Sequence, residues 1–110
     1  MRVIKIGDKE YRIHYGQNAI CALEDELDES ISGLYERLQK ENVRLSDFRA
    51  ILWAGLLKEH RGLSTDDVGN MCDEAGINIS ALIPDCIDEL NESFQRFIPK
   101  EDSEAKEKNE

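Results

Sequence analysis

The segment Leu45-Ser46-Asp47-Phe48-Arg49-Ala50-Ile51-Leu52-Trp53-Ala54-Gly55-Leu56-Leu57 constrains the fold more than any other part of the chain. Phe48, Ile51, Leu52, Gly55 and Leu56 form one apolar stripe at helical spacing. Ala50, Trp53, Ala54 and Leu57 form a second. A helix that is apolar on both sides must be covered on both sides. It is therefore expected at the centre of its domain, opened by Ser46 as N-cap, running to about His60 and ended by Gly62. The remaining residues have to supply the cover.

They divide into a short β unit and further helices. Residues 2–6 are rich in β-branched types, residues 7–10 (Gly-Asp-Lys-Glu) carry turn chemistry, and residues 11–15 alternate. Tyr11, Ile13 and Tyr15 fall on one face of that second strand and Arg12 and His14 on the other. The pattern predicts a β-hairpin over 1–16, with Gly16 as its stop. A lone hairpin is marginal in water, so its apolar face must pack on helices or pair with another chain. Asn18 is the expected N-cap of a first helix through Ile20, Leu23 and Leu27. Ser30 or Ser32 caps a second, with Ile31, Leu34, Tyr35 and Leu38 inward. The spacing of residues 20, 23, 27, 31, 34 and 38 would also suit one unbroken helix, but a break is expected near residues 28–30, because Asp, Ser and the nearby Gly33 weaken a helix interior.

Downstream of the central helix, Ser64 caps a helix whose first turn is acidic, with Val68, Met71, Cys72 and Ala75 inward and Gly76 as terminator. Asn78 or Ser80 opens the last helix. Pro84 is tolerated in its first turn, and Leu82, Ile83, Ile87, Leu90, Phe94 and Phe97 form its inner stripe up to Pro99. The predicted fold is mainly α (α+β): an N-terminal hairpin and about five helices around a central apolar helix. One domain is expected over 1–99, the hairpin at 1–16 and the helices at 17–99. Residues 100–110 hold five acids, three lysines and one small apolar residue, Ala105. They read as a disordered acidic tail.

The chain has 110 residues, 24 acidic and 14 basic, for a net charge of -10. That excludes a surface built for phosphates, since affinity for nucleic acid comes largely from cations. A helix-turn-helix look over 63–82 fails for the same reason: its would-be recognition helix carries Asp85, Asp88 and Glu89 and no base-reading side chain in its first turns. The five acids Glu24, Asp25, Glu26, Asp28 and Glu29 form either a solvated face or a docking face for a basic partner. No apolar run is long enough to span a bilayer. The N-terminus is charged too soon for a signal peptide, so a cytoplasmic location and no membrane partner are expected.

Catalysis needs a nucleophile with its base, a paired acid and base, a metal cage or a phosphate loop. None stands out. Cys21, Cys72 and Cys86 are widely spaced and read as reduced, buried small hydrophobes. His14 and His60 lie far from them in sequence, so no zinc spacing arises. No carboxylate can be singled out as a general acid. The chain is expected to be non-enzymatic, with no catalytic residue, cofactor or metal.

Three blocks together resemble the small tail assembly chaperones of long-tailed phages, prophages and gene transfer agents. A strand runs into Ala19-Ile20-Cys21-Ala22-Leu23-Glu24, followed by Leu27 and Ser30-Ile31. The central helix is similar to that family's s-D-h-r-a-l-L-w-A-G-L pattern. Leu63-Ser64-Thr65-Asp66-Asp67-Val68-Gly69, leading to Gly76, is similar to its l-T-x-e-x-v-g helix start. The resemblance spans roughly residues 11–76. It implies an assembly factor of the host cytoplasm that holds the long tape measure protein soluble, recruits tail tube protein and can form homo-oligomers. A client would meet an apolar groove, for which Tyr35, Trp53, Leu57, Phe97 and Ile98 are the interface candidates, lying off or at the ends of the main stripes. The alternative is a small acidic regulatory module, an inhibitor or DNA mimic.

Overall fold

The computed structural model describes the backbone of residues 1–97 and the side chains of residues 1–95. Strands β1 (Arg2–Ile6) and β2 (Lys9–Ile13) pair antiparallel, with Ile4 opposite Tyr11 and Ile6 opposite Lys9. Only Gly7 and Asp8 separate them, a tighter turn than residues 7–10. Gly7 takes φ 67°, as a two-residue hairpin loop with glycine first requires. Ile4, Ile6 and Ile13 are buried on one face, while Val3, Lys5 and Arg12 are exposed.

The second strand stops at Ile13, two residues before Tyr15. The His14 N–H donates to the Gly55 carbonyl at 2.9 Å, which takes the chain off its strand partner and onto the central helix. Tyr15 turns inward and is buried. Its hydroxyl donates to the Ile51 carbonyl at 2.6 Å.

Five α-helices follow: α1 (Gln17–Leu27), α2 (Ile31–Gln39), α3 (Leu45–Leu56), α4 (Thr65–Ala75) and α5 (Ile83–Phe97), with a 3-10 turn (Ile79–Leu82) leading into α5. The helix α3 is central, as its two stripes require. Ala50, Ile51, Leu52, Ala54, Gly55 and Leu56 are buried, and Phe48 and Trp53 are half-buried. β2, α1, α4, the 3-10 turn and α5 all pack on it. Burying Ile51, Leu52 and Leu56 is worth about 1.5–3 kcal/mol each, so the remaining elements are organised round this one helix.

Several termini fall where sequence places them. Asp28 ends α1 in the left-handed conformation (φ 51°), and Ser30 caps α2 by accepting from the Gly33 N–H at 3.0 Å. Residues 20–38 are therefore two helices. Ser64 and Asp67 form a reciprocal capping box on α4, and Gly76 ends it at φ 70°. The last helix begins later than Asn78 or Ser80, at Ile83, and Asn78 instead caps the 3-10 turn before it by accepting from the Ser80 N–H. Pro84 sits in the first turn of α5.

Three other termini differ. Gly16, not Asn18, is the N-cap of α1, because Tyr15 is anchored under α3 and the ladder begins at once with the Ile20 N–H donating to the Gly16 carbonyl. Arg44, not Ser46, is the N-cap residue of α3, its N–H donating to Asp47 Oδ2 at 2.8 Å. And α3 ends at Leu56 rather than His60; residues 57–60 continue as turns, closed by the His60 N–H donating to the Leu56 carbonyl. After Leu57 the sequence Lys-Glu-His-Arg offers no apolar side to hold a further helical turn. Pro99 and the acidic tail expected over 100–110 lie outside the described residues.

Candidate functional site

Of the five interface candidates, three have described side chains: Tyr35, Trp53 and Leu57. Tyr35, half-buried on α2, stacks on Phe94 of α5 with ring centroids 5.2 Å apart. Trp53 is half-buried, and its indole N–H donates to the Leu63 carbonyl at 2.8 Å; the chain's own loop holds it. Leu57, half-buried, lines an open groove of about 750 Å³ with Ala19, Ala22, Lys58 and Arg61. The Phe97 side chain and Ile98 lie outside the described residues.

What the fold does bring together is an ion cluster at the meeting of the α1–α2 joint, α2 and the start of α3. Arg37 of α2 is held on both edges of its guanidinium. Nε and Nη2 donate to Glu29 at 2.9 and 2.6 Å, and Nη1 and Nη2 donate to Asp47 at 2.8 and 3.2 Å. Nη1 also donates to the Asn42 carbonyl at 3.2 Å. Such two-pronged arginine–carboxylate pairs are the strong, geometrically specific kind. Asp47 is 1% exposed, so this contact is screened far less than a surface pair. The Arg37 hydrogen bonds hold the Asp47 and Glu29 carboxyls below the usual carboxylate range, and for Asp47 the Arg44 N–H adds to the effect. Groups held ionised in this way fix geometry; they do not donate protons at neutral pH.

Neighbouring acids also turn inward. Glu24 accepts from the Ile31 N–H at 2.8 Å, closing the first turn of α2 onto α1. Two of the five acids over 24–29 are thus engaged at the joint, and Asp25, Glu26 and Asp28 form the exposed remainder. On the other side of the core Glu89 is buried, with Oε2 2.8 Å from the Met1 α-amino nitrogen. Arg2 reaches Asp85 and Glu92 of α5 at 3.5 and 3.9 Å.

Sequence reasoning missed Asp47 and Glu89. The signal for Asp47 was available: it precedes Ala50, Ile51 and Ala54 at helical spacing on a helix expected to be covered, and an acid so placed demands a cation from elsewhere in the chain. Glu89 carried a similar one, lying on the same face as Cys86, Leu90 and Ser93, all buried.

The cysteines divide. Cys72 and Cys86 are buried, but Cys21 is exposed, contrary to expectation, because it points away from the Ala19–Ile20–Leu23 side of α1. Burial pushes the Cys86 thiol up to about 11 and the Cys72 thiol upward as well, which leaves neither as a thiolate near neutral pH. Among the described residues no group of three His, Cys, Asp or Glu is placed to hold a metal ion. None of the described helices is long and apolar enough to cross a membrane.

Fold and ion cluster together define a small, acidic, mainly helical α+β protein in which one buried helix is tied by charge to a peripheral one. A family model described as "Phage tail tube protein, GTA-gp10" matches residues 2–95, and the chain belongs to that family of phage and gene-transfer-agent tail proteins. No curated protein and no solved structure matches the chain.

Proposed function

We propose that the chain is a non-enzymatic tail assembly chaperone, which holds the tape measure protein soluble and recruits tail tube subunits while the tail is built in the host cytoplasm. Membership of a tail family over residues 2–95 carries this reading. The family's description names a tube protein, so a tube subunit is the competing role. A permanent tube subunit needs a broad apolar contact face, because obligate interfaces are large and more hydrophobic than transient ones. Among the described residues the exposed large apolar side chains are Met1, Val3 and Leu45. That sparse set favours a factor that joins and leaves. The net charge of -10 favours solubility while an apolar client is held. The rival idea of an acidic regulatory mimic is weakened, since Glu24 and Glu29 are spent inside the fold.

Co-expression with the tape measure protein of the same tail gene cluster is expected to move that protein from the pellet to the soluble fraction, in complex with this chain. Purified finished tails are expected to lack the chain. Its presence there in the same molar amount as the tube subunit would overturn the chaperone reading.

A further inference from the structure

The helix α2 is attached differently from the other helices. Of its apolar residues only Leu34 is fully buried; Ile31, Tyr35 and Leu38 are half-buried. Those three pack against the margin of the core, Tyr35 stacking on Phe94 of α5, and the remaining ties to the body are polar: the Ile31 N–H on Glu24 of α1 and Arg37 on Asp47 of α3. The Tyr35 hydroxyl is buried with no hydrogen-bond partner among the described residues. Leaving such a group unmatched costs stability, so this contact is not optimised for permanence.

The backbone on either side of α2 is also distinctive. Asp28 (φ 51°) and Glu41 (φ 57°) are the non-glycine residues with positive φ among those described, and they bracket the helix. Residues held in that region carry strain, and both strained points lie where a rigid α2 would pivot.

We propose that α2 is an exchangeable lid, and that the seat beneath it, formed by α1, α3 and α5, receives an amphipathic helix of the client in its place. This deepens the client-holding reading by naming where the client sits. The seat itself dictates the occupant's chemistry. When α2 leaves, Asp47 loses Arg37, its main cation, and an occupant that takes the place of α2 buries the carboxylate again. A buried carboxylate stripped of its partner is strongly unfavourable, so a replacement must bring one. The occupant is a helix with an aliphatic residue for the Leu34 position, an aromatic one beside it, and an arginine or lysine three places after the aliphatic one. An acidic or uncharged apolar helix is refused by the same carboxylate. The arrangement also explains how a client-holding protein can show so little exposed apolar surface at rest: its own helix covers the groove.

The test uses the full chain and, as probe, a fluorescein-labelled peptide of residues 29–42. Hydrogen exchange on the wild-type chain is expected to show α2 amides opening locally, well ahead of those in α3. The peptide is expected to bind the wild-type chain weakly and the Tyr35→Ala chain roughly tenfold more tightly, because the resident lid is then easier to displace. The same peptide carrying Arg37→Ala is expected to bind at least about tenfold more weakly than the parent peptide, the loss typical of an unpaired buried charge. Equal binding of the two peptides would overturn the charge-matching argument. Exchange of α2 amides only together with those of α3 would overturn the lid, whether or not the Tyr35→Ala chain folds. Dimers of the Tyr35→Ala chain that dissociate on adding peptide would place a second copy in the seat and overturn the client assignment. Peptide exchange in a chain that turns out to be part of the finished tail would support the lid while removing the chaperone role, so the two readings fail separately.

Discussion

Gly55 is the residue on which the join between hairpin and central helix depends. A Cβ there would lie 2.8 Å from both Cζ and the hydroxyl oxygen of Tyr15 and 3.3 Å from Cβ of Ile13. The tyrosine cannot step aside, since its hydroxyl is bound to Ile51 and its ring is buried. Alanine is the better helix former by about 1 kcal/mol, yet overpacking of this kind costs about 1–3 kcal/mol. Gly55→Ala is therefore expected to be neutral at best and destabilising by up to about 2 kcal/mol, read as a lower urea midpoint at unchanged slope. Tyr15→Phe keeps the ring and loses only the hydroxyl bond, at about 1 kcal/mol. A gain in midpoint for Gly55→Ala would show that Tyr15 has room to move and that the close approach is incidental.

Between elements, the most local signals were the most legible. The Ser64 cap and the Gly76 terminator of α4 depend on residues a few positions away, and sequence reads them correctly. Ser64→Ala is expected to cost about 1 kcal/mol, detectable as a small drop in thermal midpoint. The periodicity of α3 was equally readable, because being apolar on both stripes has one geometric consequence. The errors came where a distant contact decides a local event. Asp47, rather than Ser46, organises the start of α3 because Arg37 holds its carboxylate in place. Asn18 lost its place to Gly16 because Tyr15 is tied to Ile51 thirty-six positions on. Neither tie leaves a mark in the neighbouring residues. Stripe ends are blind in the same way: they say which side chains are spare on one helix, not which helices meet. The Arg37–Asp47 tie can be tested directly. Arg37→Met leaves Asp47 buried without its main cation, at a cost of about 3 kcal/mol at pH 7. In the wild type the depressed carboxyl pKa values mean stability that is complete above the unfolded values of about 4 and lost as pH falls through the folded ones. In the variant, desolvation raises the Asp47 pKa instead, so protonation relieves it. The stability gap between the two proteins is expected to narrow from pH 7 to pH 3 in urea titrations. A constant gap would mean that Arg37 acts through packing alone.

Over the whole molecule, charge and folding respond to acid in sequence. With a pI of about 4.6 from its composition, the chain loses its self-repulsion as pH approaches that value, and a protein without net charge tends to associate. Folding holds out longer. Asp47 and Glu29 are kept ionised below the ordinary carboxylate range by Arg37, so the tie between α2 and α3 is still intact when the net charge reaches zero. Two separate events are therefore expected on lowering pH from 7. Light scattering rises first, near pH 4.6, with the far-ultraviolet helical signal unchanged. The helical signal then falls below about pH 4, where the unfolded chain begins to bind the protons that the folded carboxylates refuse. Raising salt lowers the repulsion between molecules at pH 7 and brings association toward neutral pH, while the buried Asp47 pair is screened little and the second event stays in place. Loss of helix before or together with the rise in scattering would mean that Arg37 does not hold the fold at that pH, and that surface charge, rather than the buried cluster, sets the acid limit of the protein.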